Sequence, residues 1–449
     1  MSPYQENALA NRSERPYPLT SLALAKDTTS LWLKRGVWLY FLLLIFEGAL
    51  RKWVLPGLAT PLLIVRDPVA LWLIIVAWRH ELLPSTIYLI GIVLIGIIGT
   101  ITATLLGHGN LFVALYGART LLLHFPLIFV IGRVFNREDV VRMGKATLII
   151  AVPMTILVAM QFYSPQSAWV NRGIGGDVEG GGFSGALGFF RPPGTFSFTN
   201  GNTTFFSFVA PFVLYFWLNR KTVNNILLIA ATVALLFAIP LSISRSLLFQ
   251  VVLSLGFLVL ATTRKPENLG RMVIAAIGGL LALTLLSQLS FFATATEAFT
   301  ARFDNANEVE GGLESVFLDR FLGGLIGALT SSSNFPFFGY GLGMGSNAGS
   351  KLLTGNVTFL ISEGEWGRVI GELGALLGLS VVFLRIGLTA KIGWACYEKL
   401  TRGDLLPWML LSFGFLSIAQ GGWAQPTSLG FCTLIGGLMI SSLRAVRTR

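Results

Sequence analysis

"NNILLIAATVALLFAIPLSISRSLLFQVVLSLGFLVLATT" (224–263) decides the fold class. It is two uncharged apolar runs joined by a turn of a few residues, and that turn carries a permanent cation, Arg245. A run of about 18 to 20 apolar residues is what a helix needs to cross the hydrocarbon core of a bilayer. Two such runs with a tight polar turn between them predict a pair of antiparallel membrane spans.

The rest of the chain repeats the pattern. Only 12% of the 449 residues are charged and 53% are hydrophobic, and the mean hydropathy is +0.70. A soluble domain carries about 25% charged residues, so this composition excludes the soluble classes. Uncharged runs predict twelve spans: 36–54, 62–79, 84–106, 111–132, 144–163, 202–218, 224–241, 246–263, 271–291, 366–388, 405–421 and 426–443. The expected fold is all-α and polytopic, with about twelve transmembrane helices. A polar tail (1–35) precedes nine helices (36–291) that enclose an outer loop at 164–201. A large outer loop (292–365), three last helices and a C-terminal end (366–449) follow. The mixed charge of residues 1–35 does not read as a cleavable signal. Cys396 and Cys432 fall in or beside apolar runs, as buried thiols do.

Basic residues set the orientation, because cytoplasmic loops are enriched in Lys and Arg. With the N-terminus inside, 22 of the 33 Lys and Arg fall in inner segments, Arg385 among them, and every inner loop is basic. Both termini are therefore expected in the cytoplasm. The net charge of +11 is then mostly topology and implies no nucleic-acid partner.

Topology does not ask for the remaining outer cations. Arg172, Arg302 and Lys351 read most simply as headgroup anchors or loop charges. Arg119 lies about eight residues into a span, roughly 12 Å deep at 1.5 Å per residue. A charge at that depth marks function or an internal ion pair. Arg191 opens "RPPGTF" (191–196), where two prolines stiffen the chain beside it. Arg320 opens the apolar "RFLGGLIGALT" (320–330), and Arg66 precedes the second span's Asp67. The arginine fork binds two oxygens and does not deprotonate, which suits it to phosphate. Converging outer arginines therefore suggest a diphosphate at the outer membrane boundary, with Arg245 held at headgroup depth to meet it.

A second constellation is "SEGEWGRVIGELG" (362–374). On a helix Glu365, Arg368 and Glu372 share one face, with Glu363 just before them. They form either a salt-bridged helix start or a general base oriented by an arginine. The three histidines suit that role less: His80 is on the inner side, His124 inside a span and His108 in a short loop. "GYGLGMG" (339–345) reads as a flexible loop. It lacks the spacing and preceding strand of a dinucleotide fingerprint. No Asp-x-Asp pair offers a carboxylate-held metal, and neither metal nor cofactor is expected.

In order along the chain, "RPPGTFSFTN" (191–200), "SISRSLLF" (242–249), "RFLGGLIGALTSSSNFPFFGYGLGMG" (320–345) and "ELG" (372–374) resemble the O-antigen ligase/polysaccharide polymerase superfamily of bacterial inner-membrane proteins. "EGALRKWVLPGLATPLLIVRDP" (47–68) is similar to ligase-like members from exopolysaccharide clusters. The resemblance implies a GT-C-type helical fold with a large periplasmic loop. It implies a glycosyltransferase that moves a glycan, without metal, from undecaprenyl diphosphate to a hydroxyl of a glycan acceptor. It matches the family's diphosphate-contacting arginines to Arg245, Arg320 and Arg191. The family carries a His-Asn pair before Glu-Leu-Gly, and here Glu363 and Gly364 stand in that place.

The expected diphosphate-binding residues are thus Arg191, Arg245, Arg320 and Arg119. Glu363 and Glu365 are the catalytic candidates, and Arg368, Glu372 and Arg66 support them. The expected partners are the lipid-linked donor, a glycan acceptor, the bilayer and other polysaccharide-assembly proteins. A lipid-linked oligosaccharide transporter or flippase, or a non-catalytic subunit of a secretion complex, remains the alternative. Reporter fusions after residues 140, 220, 268 and 400 should read as cytoplasmic, and fusions near 180 and 310 as outer. A cytoplasmic signal at 310 would reverse the orientation.

Overall fold

The computed structural model describes residues 19–263, 270, 289–310, 330, 335–356, 358, 360–362 and 364–444. Glu363, Arg320 and nearly all of the expected span 271–291 lie outside the described residues. The described chain is helical apart from one two-stranded hairpin, β1 (Phe183–Ala186) and β2 (Phe189–Arg191). Its helices are α1 (Leu19–Ala49), α2 (Asp67–Arg79), α3 (Ile87–Leu105), α4 (Leu111–Arg119), α5 (Phe125–Val134), α6 (Arg137–Tyr163) and α7 (Thr199–Leu218). There follow α8 (Asn225–Leu241), α9 (Arg245–Thr263), α10 (Ser290–Glu310), α11 (Asn347–Thr354), α12 (Glu365–Thr401), α13 (Leu405–Gln420) and α14 (Pro426–Leu443).

Among the described residues eight helices are long and apolar enough to cross a membrane, and Asn225–Leu241 and Leu405–Gln420 are shorter apolar ones. This is a multi-pass membrane architecture. Its outer surface agrees: on α3, Ile87, Ile90, Leu94, Ile97, Ile101 and Leu105 are exposed at three- and four-residue spacing. The opposite face of α3, with Leu89, Ile92 and Ala103, is buried. A helix apolar on both faces is stable only where the exposed face meets lipid. The core is aromatic, with Phe205, Phe208, Phe212 and Phe216 of α7 buried and Phe208 packed on Phe413 of α13 and Phe431 of α14.

Two π-helical turns interrupt the bundle, Leu50–Val54 after α1 and Thr120–His124 between α4 and α5. Such turns displace side chains from the ordinary helical register. The first carries Arg51 and Lys52, and the second directly follows Arg119.

The largest departure from the sequence reading is in α12. The hydropathy of 366–388 reads as one span, yet Gly374 has φ 76° and ψ 174°, a backbone region open essentially to glycine alone. The chain folds back there. Glu365 and Arg385 would lie about 30 Å apart on a straight helix, but they form an ion pair at 2.7 Å. Gly378 sits so close that a Cβ on it would meet the Ile370 Cα at 2.6 Å. The break frees two carbonyls, and the Gly-rich segment fills them: Tyr340 N–H donates to Gly371 O and Gly341 N–H to Glu372 O. "GYGLGMG" is therefore an ordered strap. Gly339, Gly341 and Gly343 all have positive φ, and Gly343 backs onto Gly117 of α4. The expected loop 292–365 also holds α10, which packs on the bundle through Phe292 against Phe237 and Phe303 against Phe249.

A Cβ on Gly374 would meet the Phe337 carbonyl oxygen at 2.0 Å. Gly374→Ala should cost at least about 1–3 kcal/mol from its backbone angles alone. The check is the thermal unfolding midpoint in detergent. Gly256→Ala, on α9 with open space around it, should leave that midpoint unchanged or raise it.

Candidate functional site

Three arginines from three separate elements meet in one cavity. Arg191 ends β2, Arg245 begins α9 and Arg302 lies on α10, and together with Ile243, Ser244 and Ser246 they line a space of about 100 Å³. None of the six lining residues is acidic.

Each arginine is placed by local packing. The Phe189 ring stacks on Phe162 of α6 at 4.6 Å and 5°. Beyond Arg191, Pro192 O accepts from Asn202 Nδ2, and Gly194 N–H donates to Gln161 Oε1 at 2.7 Å. The "RPPG" segment is thus pinned between α6 and α7. Arg245 follows a turn in which Ile243 holds φ 46°. A β-branched residue there is a strained outlier, and such strain gathers at functional sites. Ile243 is buried beneath the hairpin, where a Cβ on Gly185 would meet its Cδ1 at 2.6 Å. The strained turn aims the first residues of α9 into the cavity. Ser244 Oγ accepts from Leu247 N–H and from the Thr203 hydroxyl.

Among the described lining residues every charge is positive. Burial, then the neighbouring Arg302 and Arg245 guanidinium groups, push the Arg191 guanidinium below its ordinary pKa. Its Nε is buried with no partner among the described residues. Three cations and the positive end of a helix give this cavity the chemistry that suits an anion with several oxygens.

Arg302, read from sequence as a surface anchor, belongs to this cavity. Its signal was the apolar spacing of Phe292, Ala295, Ala298, Phe299 and Phe303, which marks a helix packed on the bundle. Arg320 lies outside the described residues. Arg119 does not line the cavity.

Arg119 instead donates from Nη1 to both Asp67 oxygens, at 3.2 and 3.1 Å. Asp67 also accepts from His124 Nε2 at 3.0 Å, and the Tyr40 hydroxyl donates to His124 Nδ1 at 2.9 Å. Arg66 pairs with Glu47 through Nε at 3.2 Å, and Arg51 reaches the same carboxylate. Arg66, Arg119 and Glu47 are all buried, so these cations belong to an internal ion-paired network.

Glu365, expected as a candidate base, is held in a dense set of hydrogen bonds. Two carboxylate oxygens offer about four lone-pair sites, and four donors fill them. Oε1 accepts from Arg368 Nη2 at 2.8 Å and Arg385 Nη1 at 2.7 Å. Oε2 accepts from Arg368 Nε at 3.0 Å and Trp423 N–H at 3.1 Å. Arg385 also donates to Ile418 O and Gly421 O, which sets it beside the α13–α14 connection and level with Glu365. Arg368 Nη1 donates to Glu372 Oε2 at 2.6 Å, and Glu372 Oε1 accepts from Gly345 N–H of the strap. Glu363 lies outside the described residues.

No protein-family model matches the chain, and no curated protein matches it in sequence.

Removing one partner of a buried ion pair leaves an uncompensated charge and costs about 3–5 kcal/mol. Glu365→Gln should therefore lower the thermal unfolding midpoint in detergent sharply. A variant that keeps wild-type stability while losing activity would return Glu365 to chemistry.

Proposed function

We propose that this protein is a membrane glycan polymerase or ligase, a GT-C-type glycosyltransferase with about twelve spans and both termini in the cytoplasm of a bacterial inner membrane. The donor is an undecaprenyl-diphosphate-linked oligosaccharide, and the acceptor is a sugar hydroxyl on the periplasmic side, in exopolysaccharide or O-antigen assembly. The observation that carries the reading is the convergence of Arg191, Arg245 and Arg302 from three separate elements on one cavity at the start of α9. The ordered sequence motifs support it.

In this reading the acceptor oxygen attacks the anomeric carbon and forms the new glycosidic bond. The bond from that carbon to the diphosphate oxygen breaks, and its electron pair leaves with the lipid diphosphate. The arginines stabilise that developing charge. The hydroxyl proton passes to a carboxylate, for which Glu363 is the candidate. Glu365, Arg368, Glu372 and Arg385 act as the frame that positions the segment before α12.

A transporter or flippase for the same lipid-linked sugar is the second reading. The buried Glu47–Arg66 and Asp67–Arg119–His124 network favours it, since ionisable groups inside a bundle mark transport pathways.

Chain extension in vitro, with purified donor and acceptor, separates the two. Arg302→Ala and Arg245→Lys should each lose roughly 2–4 kcal/mol of transition-state stabilisation, as expected for donors to developing charge. Glu363→Gln should abolish transfer and leave donor binding nearly intact. Wild-type extension by Arg302→Ala and Arg245→Lys alike would sink the arginine site. A protein that moves labelled donor between leaflets without extending any chain would establish the transporter.

A further inference from the structure

A second cavity, of about 290 Å³, opens at the far end of the bundle from the three arginines. The separation follows from α6, whose 27 residues span about 40 Å. That helix starts at Arg137, three residues beyond the end of α5, and finishes beside the hairpin that carries Arg191.

The far cavity is a slot between the start of α3, the ends of α5 and α14, and the middle of α12. Its floor is apolar, with Phe129, Leu388 and Ile392 buried and Ile440 and Leu443 half-buried. Cations stand at the mouth. Arg133 and Lys391 are exposed, and the Lys391 Nζ lies 5.7 Å from the centre of the Tyr88 ring. Arg444 is fixed there because its Nη1 donates to Arg133 O and Phe135 O and so ties down the end of α5. Three cations line this slot, and no acid is among its described lining residues.

An apolar slot calls for hydrocarbon, and cations at its rim call for an anion attached to that hydrocarbon. Basic pockets between membrane helices take the head groups of anionic lipids in this way. We propose that this slot is a structural binding site for an anionic phospholipid, with an acyl chain on the Phe129–Ile392–Ile440 floor and the head phosphate between Arg133 and Lys391. The site does not depend on the chemistry proposed for the outer face.

The test is native mass spectrometry of the full chain taken from phosphatidylcholine nanodiscs titrated with phosphatidylglycerol. The wild type should retain phosphatidylglycerol adducts in preference to phosphatidylcholine. The Arg133→Ala/Lys391→Ala variant should bind phosphatidylglycerol about thirtyfold more weakly, at ~1 kcal/mol for each cation. Ala395→Trp, which fills the slot without altering charge, should lower occupancy too. Arg79→Ala/Arg402→Ala removes two exposed cations outside the slot and should leave occupancy at the wild-type level. Equal retention by wild type and the Arg133/Lys391 variant would overturn the proposal. So would an equal loss in the Arg79/Arg402 control, which would indicate general attraction to the surface. Displacement of the lipid by glycerol phosphate, which lacks acyl chains, would show that the slot contributes nothing. A peptide adduct in place of lipid would also refute it.

Discussion

One carboxylate holds the middle of this protein together. Glu365 accepts from Arg368 on its own short helix, from Arg385 on the helix that folds back from it, and from the Trp423 amide between α13 and α14. Water is scarce inside a bundle, so a charge there must find its partners within the chain. Those partners come from three places, and satisfying them fixes the angle of the fold-back at Gly374. The strap then follows, because only that break exposes the carbonyls it binds. From the strap, contacts run on to α4 through Gly343 and Gly117. Glu372 completes the tie by taking the Gly345 amide while it balances the far side of Arg368.

The arginine cavity obeys the opposite rule. There no carboxylate is among the described lining residues, and apolar packing sets the positions of the arginines. Stacked rings hold the hairpin, a double proline is pinned between two helices, and an isoleucine sits in a strained conformation under a glycine. The two regions show what the same residue type does in different company. Arg368 and Arg385 are bound into ion pairs with Glu365 and Glu372, and Arg191, Arg245 and Arg302 converge on an open volume.

Sequence pattern conveyed the helical class and the places of most spans, because the length and apolarity of a membrane helix are written in consecutive residues. Arg191 and Arg245 were singled out in the sequence, and the structure brings them to one cavity. What stayed hidden was non-local. A hydropathy window passes over Gly374, since one glycine does not change an average, and so the pairing of Arg385 with Glu365 was not foreseen. Spacing put Glu365 and Arg368 on one face, but the partners that fill the carboxylate come from 20 and 58 residues away. The glycines of "GYGLGMG" suggested looseness, whereas their positive φ values serve close backbone contact. Arg302 was overlooked because a long outer segment was read as loop, although its phenylalanines and alanines keep helical spacing.

The helix break also bears on how the chain is made. Glu365 emerges from the ribosome 58 residues before Trp423, an interval of about 3–12 s at 5–20 residues per second. Through that interval the acid has no access to the amide that completes its coordination. Arg368 arrives three residues later and Glu372 four residues after that, so the three charges enter the membrane already paired along one helical turn and the next. The triplet carries a net charge of only minus one, and Arg385 cancels it as the following helix is added. Spacing that looks like a device of the finished fold is thus also a means of keeping bare charge out of lipid while the protein is still incomplete.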